Sequence, residues 1–157
     1  MSLTDILLRE LAVERSDSIL VELGRSSGLY IPPSTDIVAH LVLEGSVSVV
    51  LENSGETATL CAGEYCVLFY GNGHRVDLAG DEASTTAVPH VVSEWPCGDE
   101  PPLLRLGNSP PQARCISTAL RTILSPVTIR AQHPVPELLH FHHEGDPASR
   151  RTVLLAD

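Results

Sequence analysis

From Ile37 to Leu78 the chain is a succession of short apolar runs, each closed by turn-forming residues. Runs of this length bounded by Gly, Asn and Ser read as β-strands, because a helix would need a longer stretch with 3.6-residue spacing. The spacing predicts strands at Ile37–Leu43, Val47–Leu51, Thr57–Leu60, Tyr65–Tyr70 and His74–Leu78. Asn53-Ser54-Gly55, Ala62-Gly63-Glu64 and Gly71-Asn72-Gly73 supply turns between them. The segment from His40 to His74 therefore reads as two β-hairpins pinned by glycines and closed by a histidine.

The flanks are less regular. Leu3, Leu7, Leu8 and Leu11 lie at helical spacing after Thr4 and Asp5, so a short amphipathic helix is expected over residues 3–11. Strands are expected at Ile19–Leu23, at Leu29–Ile31 before Pro32-Pro33, within Ser84–Val92 and at Arg114–Leu120. Cys97–Pro102 is rich in Gly, Pro and acids and reads as a surface loop, and Pro126 breaks the run from Ile123 to Ile129. Pro134–His143 spaces Val135, Leu138, Leu139 and His142 as a helix would, and Ala148–Ala156 reads as the opening of another. The chain stops inside the apolar run VLLAD, as a cut chain would. The expectation is an all-β fold: a small antiparallel β-barrel of the jelly-roll kind, with short N-terminal and C-terminal helices. No long helical pattern separates the strands, so βαβ units are not expected.

Composition narrows the function classes. The 157 residues suffice for one domain with a real core. With only two Phe, three Tyr and one Trp, that core must be mostly Leu, Val and Ile. The formal net charge of −10 repels phosphate backbones, so this domain alone is not expected to bind nucleic acid. Its apolar runs are far short of the ~20 residues that span a bilayer, so no membrane association is expected. Asp5 and Glu10 stand where a secretory signal would carry basic residues. Cys61, Cys66, Cys97 and Cys115 form no CxxC, so reduced, inert thiols that mostly fill space are expected in a cytoplasmic protein, with Cys97 in an acidic, Pro-rich loop the candidate for exposure. No Ser-His-Asp arrangement, phosphate-binding glycine loop or HExxH motif occurs.

Two motifs carry a family resemblance. Gly63-Glu64, an apolar stretch, Gly71 and His74 resemble the second motif of cupins, in which a glycine and an acid precede proline, any residue, glycine, two more and histidine. Phe69 stands in the proline's place. His40-Leu41-Val42-Leu43-Glu44-Gly45 resembles a run typical of the N-terminal cupin of AraC-type transcription regulators. The resemblance covers about residues 1–145 and leaves 146–157 as the start of a truncated helix or a linker. It implies an effector-sensing and dimerisation domain, a non-catalytic homodimer that takes an unknown small-molecule effector. In the family, DNA is bound by a C-terminal helix-turn-helix part that this chain lacks.

The candidate chemistry gathers around the histidines. Metal-binding cupins place two histidines and a glutamate in their first motif. By register on Gly45 those places fall at Pro32–Thr35 and Val38, which supply no ligand of that kind. A rearranged set remains: His40 shares a strand face with Val38, so His40 and His74 can meet across the barrel. Cys66, or alternatively Cys61, would complete the N/N/S donors that zinc favours. No cofactor is expected by default, with zinc the metal for such a set. The competing readings are two histidines with hydrogen-bonded ring nitrogens among space-filling cysteines, and a polar contact to an organic effector. Tyr65, Arg75 and Glu44 are further pocket candidates. His140, His142 and His143 cluster near a helix end, where dipole complementarity explains them. The rival function is a small metal-dependent cupin enzyme using the His/Cys set.

Overall fold

Strand alternation decides which side chains become core. A computed structural model describes residues 13–80, 88–122, 137–141 and 153–154. The strands within them are β1 (Val13–Arg25), β2 (Gly28–Ile31), β3 (Ile37–Glu44), β4 (Ser46–Leu51), β5 (Thr57–Cys61), β6 (Tyr65–Leu68), β7 (His74–Leu78), β8 (His90–Val91), β9 (Leu103–Leu106), β10 (Asn108–Thr122), β11 (Leu138–Phe141) and β12 (Val153–Leu154). In β4, β5 and β7 every second residue is buried, the signature of strands with one face on a core and one toward solvent.

The strands form two sheets. The larger has the order β12-β11-β6-β3-β10-β1-β9, and the smaller β5-β4-β7-β2-β8. Pairing is antiparallel except at one edge of each sheet, where β9 joins β1 and β8 joins β2 in parallel. The inner faces meet in one apolar core. Val21, Leu23, Val42 and Cys115 enter it from the larger sheet, and Leu29, Val47, Val49, Leu51 and Val76 from the smaller. Each fully buried Val or Leu adds roughly 1.5–3 kcal/mol relative to exposure, so aliphatic residues replace the scarce aromatics. A second buried cluster, Ile37, Phe69 and Leu139, lies on the opposite face of the larger sheet.

The jelly-roll expectation holds, with corrections inside it. Between His40 and His74 only β4 and β5 form a hairpin, with Val47 opposite Leu60. Gly71-Asn72-Gly73 is no hairpin turn: it carries the chain from β6 in the larger sheet to β7 in the smaller. Turn chemistry reveals that a chain reverses, not which sheet receives the next strand. Gly71 takes φ 64° there, and a Cβ on it would run into the carbonyl oxygen of Ser34. Gly45 makes the matching crossover from β3 to β4 at φ 75°.

The C-terminal helix over Pro134–His143 is also corrected. Leu138–Phe141 is a strand paired with β6, Leu138 opposite Leu68 and Phe141 opposite Tyr65. Short apolar runs fit both periodicities, and the free edge of β6 supplies the backbone partners that decide between them. Likewise Val153–Leu154 pairs with β11 where a helix opening was expected. The helix expected over residues 3–11 and the run at Ile123–Ile129 lie outside the described residues. No α-helix occurs among the described residues, and none there is long and apolar enough to cross a membrane. Strand β9, between Pro102 and Gly107, was not predicted: the exposed Leu103 breaks the apolar–polar alternation in Leu103-Leu104-Arg105-Leu106.

Candidate functional site

A row of polar side chains crosses the inner face of the larger sheet. Ser117 on β10 lies opposite His40 on β3, His40 opposite Cys66 on β6, and Cys66 opposite His140 on β11. Directly paired residues share a face, so all four project toward the smaller sheet. His74 opens β7 in that sheet and points back. His40 and His74 are both almost fully buried, and their Nε2 atoms are 2.7 Å apart with the rings edge-to-face.

The remaining nitrogens fix every proton. His74 Nδ1 lies 3.0 Å from the carbonyl oxygen of Asn72, which can only accept, so Nδ1 carries the hydrogen. In the neutral ring His74 Nε2 is then an acceptor, and His40 Nε2–H donates to it. That leaves His40 Nδ1 to accept from the Ser117 hydroxyl at 2.7 Å. Burial drives both histidines below their ordinary value; His74 further disfavours a charge on His40, while the Asn72 carbonyl partly opposes the shift at His74. The pair is therefore neutral at pH 7, a hydrogen-bonded tie between the two sheets.

The same geometry tests the metal reading. Two imidazoles on a tetrahedral zinc at ~2.0–2.1 Å hold their nitrogens about 3.3 Å apart. Here the spacing is that of a direct hydrogen bond. Cys66 is fully buried, and burial pushes its thiol up to about 12, so it keeps its proton. Among the described residues no group of three or more His, Cys, Asp or Glu side chains is placed to hold a metal ion. As arranged, these residues do not fit a catalytic metal, which takes at least three protein ligands.

The other candidates are dispersed. Tyr65 alternates with Cys66 and so faces away from the interior, stacked on Phe141 with centroids 4.5 Å apart. Arg75 likewise alternates with His74 and points outward, ion-paired with Asp77 at 2.7 Å. Both are corrections to the pocket set, and period-two geometry is the reason. Glu44 is exposed and lies 3.3 Å from Arg114. Cys61 is exposed at the end of β5. His140 is not on a helix face: its Nε2 lies 3.0 Å from Glu64 Oε2, while Glu64 Oε1 accepts from the Cys61 amide at 2.8 Å. His142 and His143 lie outside the described residues. Ser117, the Asn72 carbonyl and the Glu64–His140 pair were missed as members of this interior; the one signal for Ser117 was its alternation with Cys115 in a predicted strand.

Among the clefts that open on the described surface are three of about 320, 240 and 170 Å³, and neither His40 nor His74 lines any of these three. The largest lies between β8 and β9, over Ile19, Val92 and Leu104. The smallest adjoins it through Val92 and Ser93 and is walled by Trp95.

Known proteins were compared with the chain. A family model described as Cupin matches residues 3–155. No curated protein gives a significant match. A crystal structure of an apo ToxT variant from Vibrio cholerae aligns at 10% identity with a TM-score of 0.40, over 68% of this chain and 30% of that one. The chain thus spans under a third of that protein's length.

Proposed function

Because this chain belongs to the cupin family, we propose that it is the effector-sensing and dimerisation domain of an AraC-type transcriptional regulator. It acts in the cytoplasm, takes a small organic effector, works as a homodimer and catalyses nothing. DNA contact falls to a separate helix-turn-helix part. The observation that carries this reading is the interior pair: His40 and His74 spend all four ring nitrogens on each other, Ser117 and Asn72. A catalytic cupin would leave those nitrogens for a metal with an open coordination position. The run from His40 to Gly45 supports the AraC-type assignment, and the net charge of −10 fits a domain that leaves DNA contact to another part.

Native mass spectrometry of the untagged chain, paired with metal analysis, tests the proposal. The expected result is a dimer that retains an organic molecule or is stabilised by one, with zinc well below one per chain. Stoichiometric metal that disappears in His74→Ala, together with turnover of a substrate, would replace the sensor with an enzyme.

A further inference from the structure

We infer that the cleft between the exposed edges of the two sheets binds a small amphipathic cation, an aromatic or aliphatic body carrying an amine. The inference rests on the effector-sensing reading and names a site and ligand class for it. Strands β8 and β9 close the same side of the sandwich, each added in parallel to its own sheet. The segment between them, VSEWPCGDEPP over residues 92–102, passes from the smaller sheet to the larger. Pro96, Pro101 and Pro102 fix the backbone φ at three places along it, so the space beneath is shaped before any ligand arrives.

That space has about 320 Å³, within the range that holds a small organic molecule. Its floor is apolar and continuous with the core: Ile19 and Val92 are buried, and Leu104 packs against the same cluster. Its rim is also apolar yet open, with Val91 51% and Leu103 44% exposed. Large side chains left wet at the mouth of a concave site are those a ligand's hydrocarbon part would cover.

The charge of the wall selects the ligand's polar end. Among the described residues that line it, Glu94 is the acid, His90 and Ser93 add hydrogen-bonding groups, and none is an arginine. The chain has no lysine at all, and its net charge of −10 adds a field that favours cations over anions. An amine set against Glu94 with its apolar body on Ile19, Val92 and Leu104 satisfies both features; a carboxylate or phosphate on the same body would meet Glu94 as a like charge.

Trp95 is the single tryptophan of the chain and walls the adjoining cleft, so its fluorescence reports on this region. Phenethylamine and phenylacetate, matched in size and opposite in charge, are the probes. The expected result is a saturable change with phenethylamine, none with phenylacetate at the same concentration, and at least tenfold weaker amine binding in Glu94→Gln. Ser93→Arg, which places a cation at the rim, should abolish the response. Equal responses to both probes, no saturation with the amine, or indifference to Glu94→Gln would overturn the inference. A co-purified organic molecule whose occupancy is unchanged in Glu94→Gln and Ser93→Arg would end this site while leaving the sensing role intact. A sedimenting dimer that the double variant Val91→Asp, Leu103→Asp converts to monomer would place a second copy over this rim and also overturn it.

Discussion

A single backbone carbonyl, that of Asn72, sets the direction of the whole interior hydrogen-bond chain, because it can accept and never donate. From it follow the Nδ1–H form of His74, the Nε2–H form of His40 and the donor role of Ser117. Ser117→Ala would strand the His40 Nδ1 lone pair in the core, and should cost about 1–3 kcal/mol in denaturant unfolding. Acid should act on the same groups. Both histidines are held below their ordinary 6.5, so the unfolded chain binds protons that the folded chain refuses. Their contribution to stability is complete above 6.5 and is lost as the pH falls below it. Among the described residues, the groups bonded to or paired with the two rings are Ser117, the Asn72 carbonyl and Cys66, and none supplies a charge to rescue a protonated ring. Urea midpoints should therefore fall between pH 7.5 and 5.5 in the native chain and change far less in the double variant His40→Leu, His74→Leu; parallel profiles would contradict this. Glu64 adds a later loss: burial raises its carboxyl, but the Cys61 amide and His140 outweigh that and hold it below 4.5. The cysteines divide by burial. Cys61 and Cys97 are exposed, the latter against the Arg15 guanidinium. Cys66 and Cys115 are buried, their thiols pushed up to about 12 and about 11. A thiol reagent at neutral pH should label two cysteines quickly and the other two only on unfolding.

At the level of elements, the crossovers position the site. His74 can face His40 only because Gly71 and Gly73 hand the chain from one sheet to the other immediately before it. Gly71→Ala should cost more than the ~1–2 kcal/mol that a left-handed conformation alone imposes on an L residue, since its Cβ would also meet Ser34. Thermal melting checks this: a change of less than a few degrees would mean that the crossover tolerates a side chain. Much of this layer was legible in the sequence. His74–Leu78 matches its predicted bounds, and the other central strands lie within a residue or two of theirs. What was not legible is pairing. The run Leu138–Phe141 reads as helix or strand equally well, and its partner β6 is some seventy positions away in sequence. The prolines at 110 and 111 concealed the start of β10, which tolerates them because its register skips from Ala113 to Asn108 opposite β1.

For the whole molecule, two sheets held together by an aliphatic core and one uncharged imidazole pair form a sandwich whose interior offers little chemistry. The meeting of His40 and His74 could be read from strand parity alone, whereas the absence of a third donor among the described residues needed the fold, since Cys66 sits beside them but buried and protonated. The openness lies elsewhere, at the edge between β8 and β9, which no periodicity revealed because β9 itself was invisible in the sequence. Under the proposed sensing role, such a cupin would transmit the occupancy of a cleft rather than transform what occupies it. The most direct test of that claim is a long-range ¹H–¹⁵N spectrum of the histidine rings at pH 7, recorded with and without added zinc. The account predicts two neutral rings, His40 in its Nε2–H form and His74 in its Nδ1–H form, both unmoved by zinc. Metal-shifted nitrogens on both rings at one equivalent of zinc would contradict it.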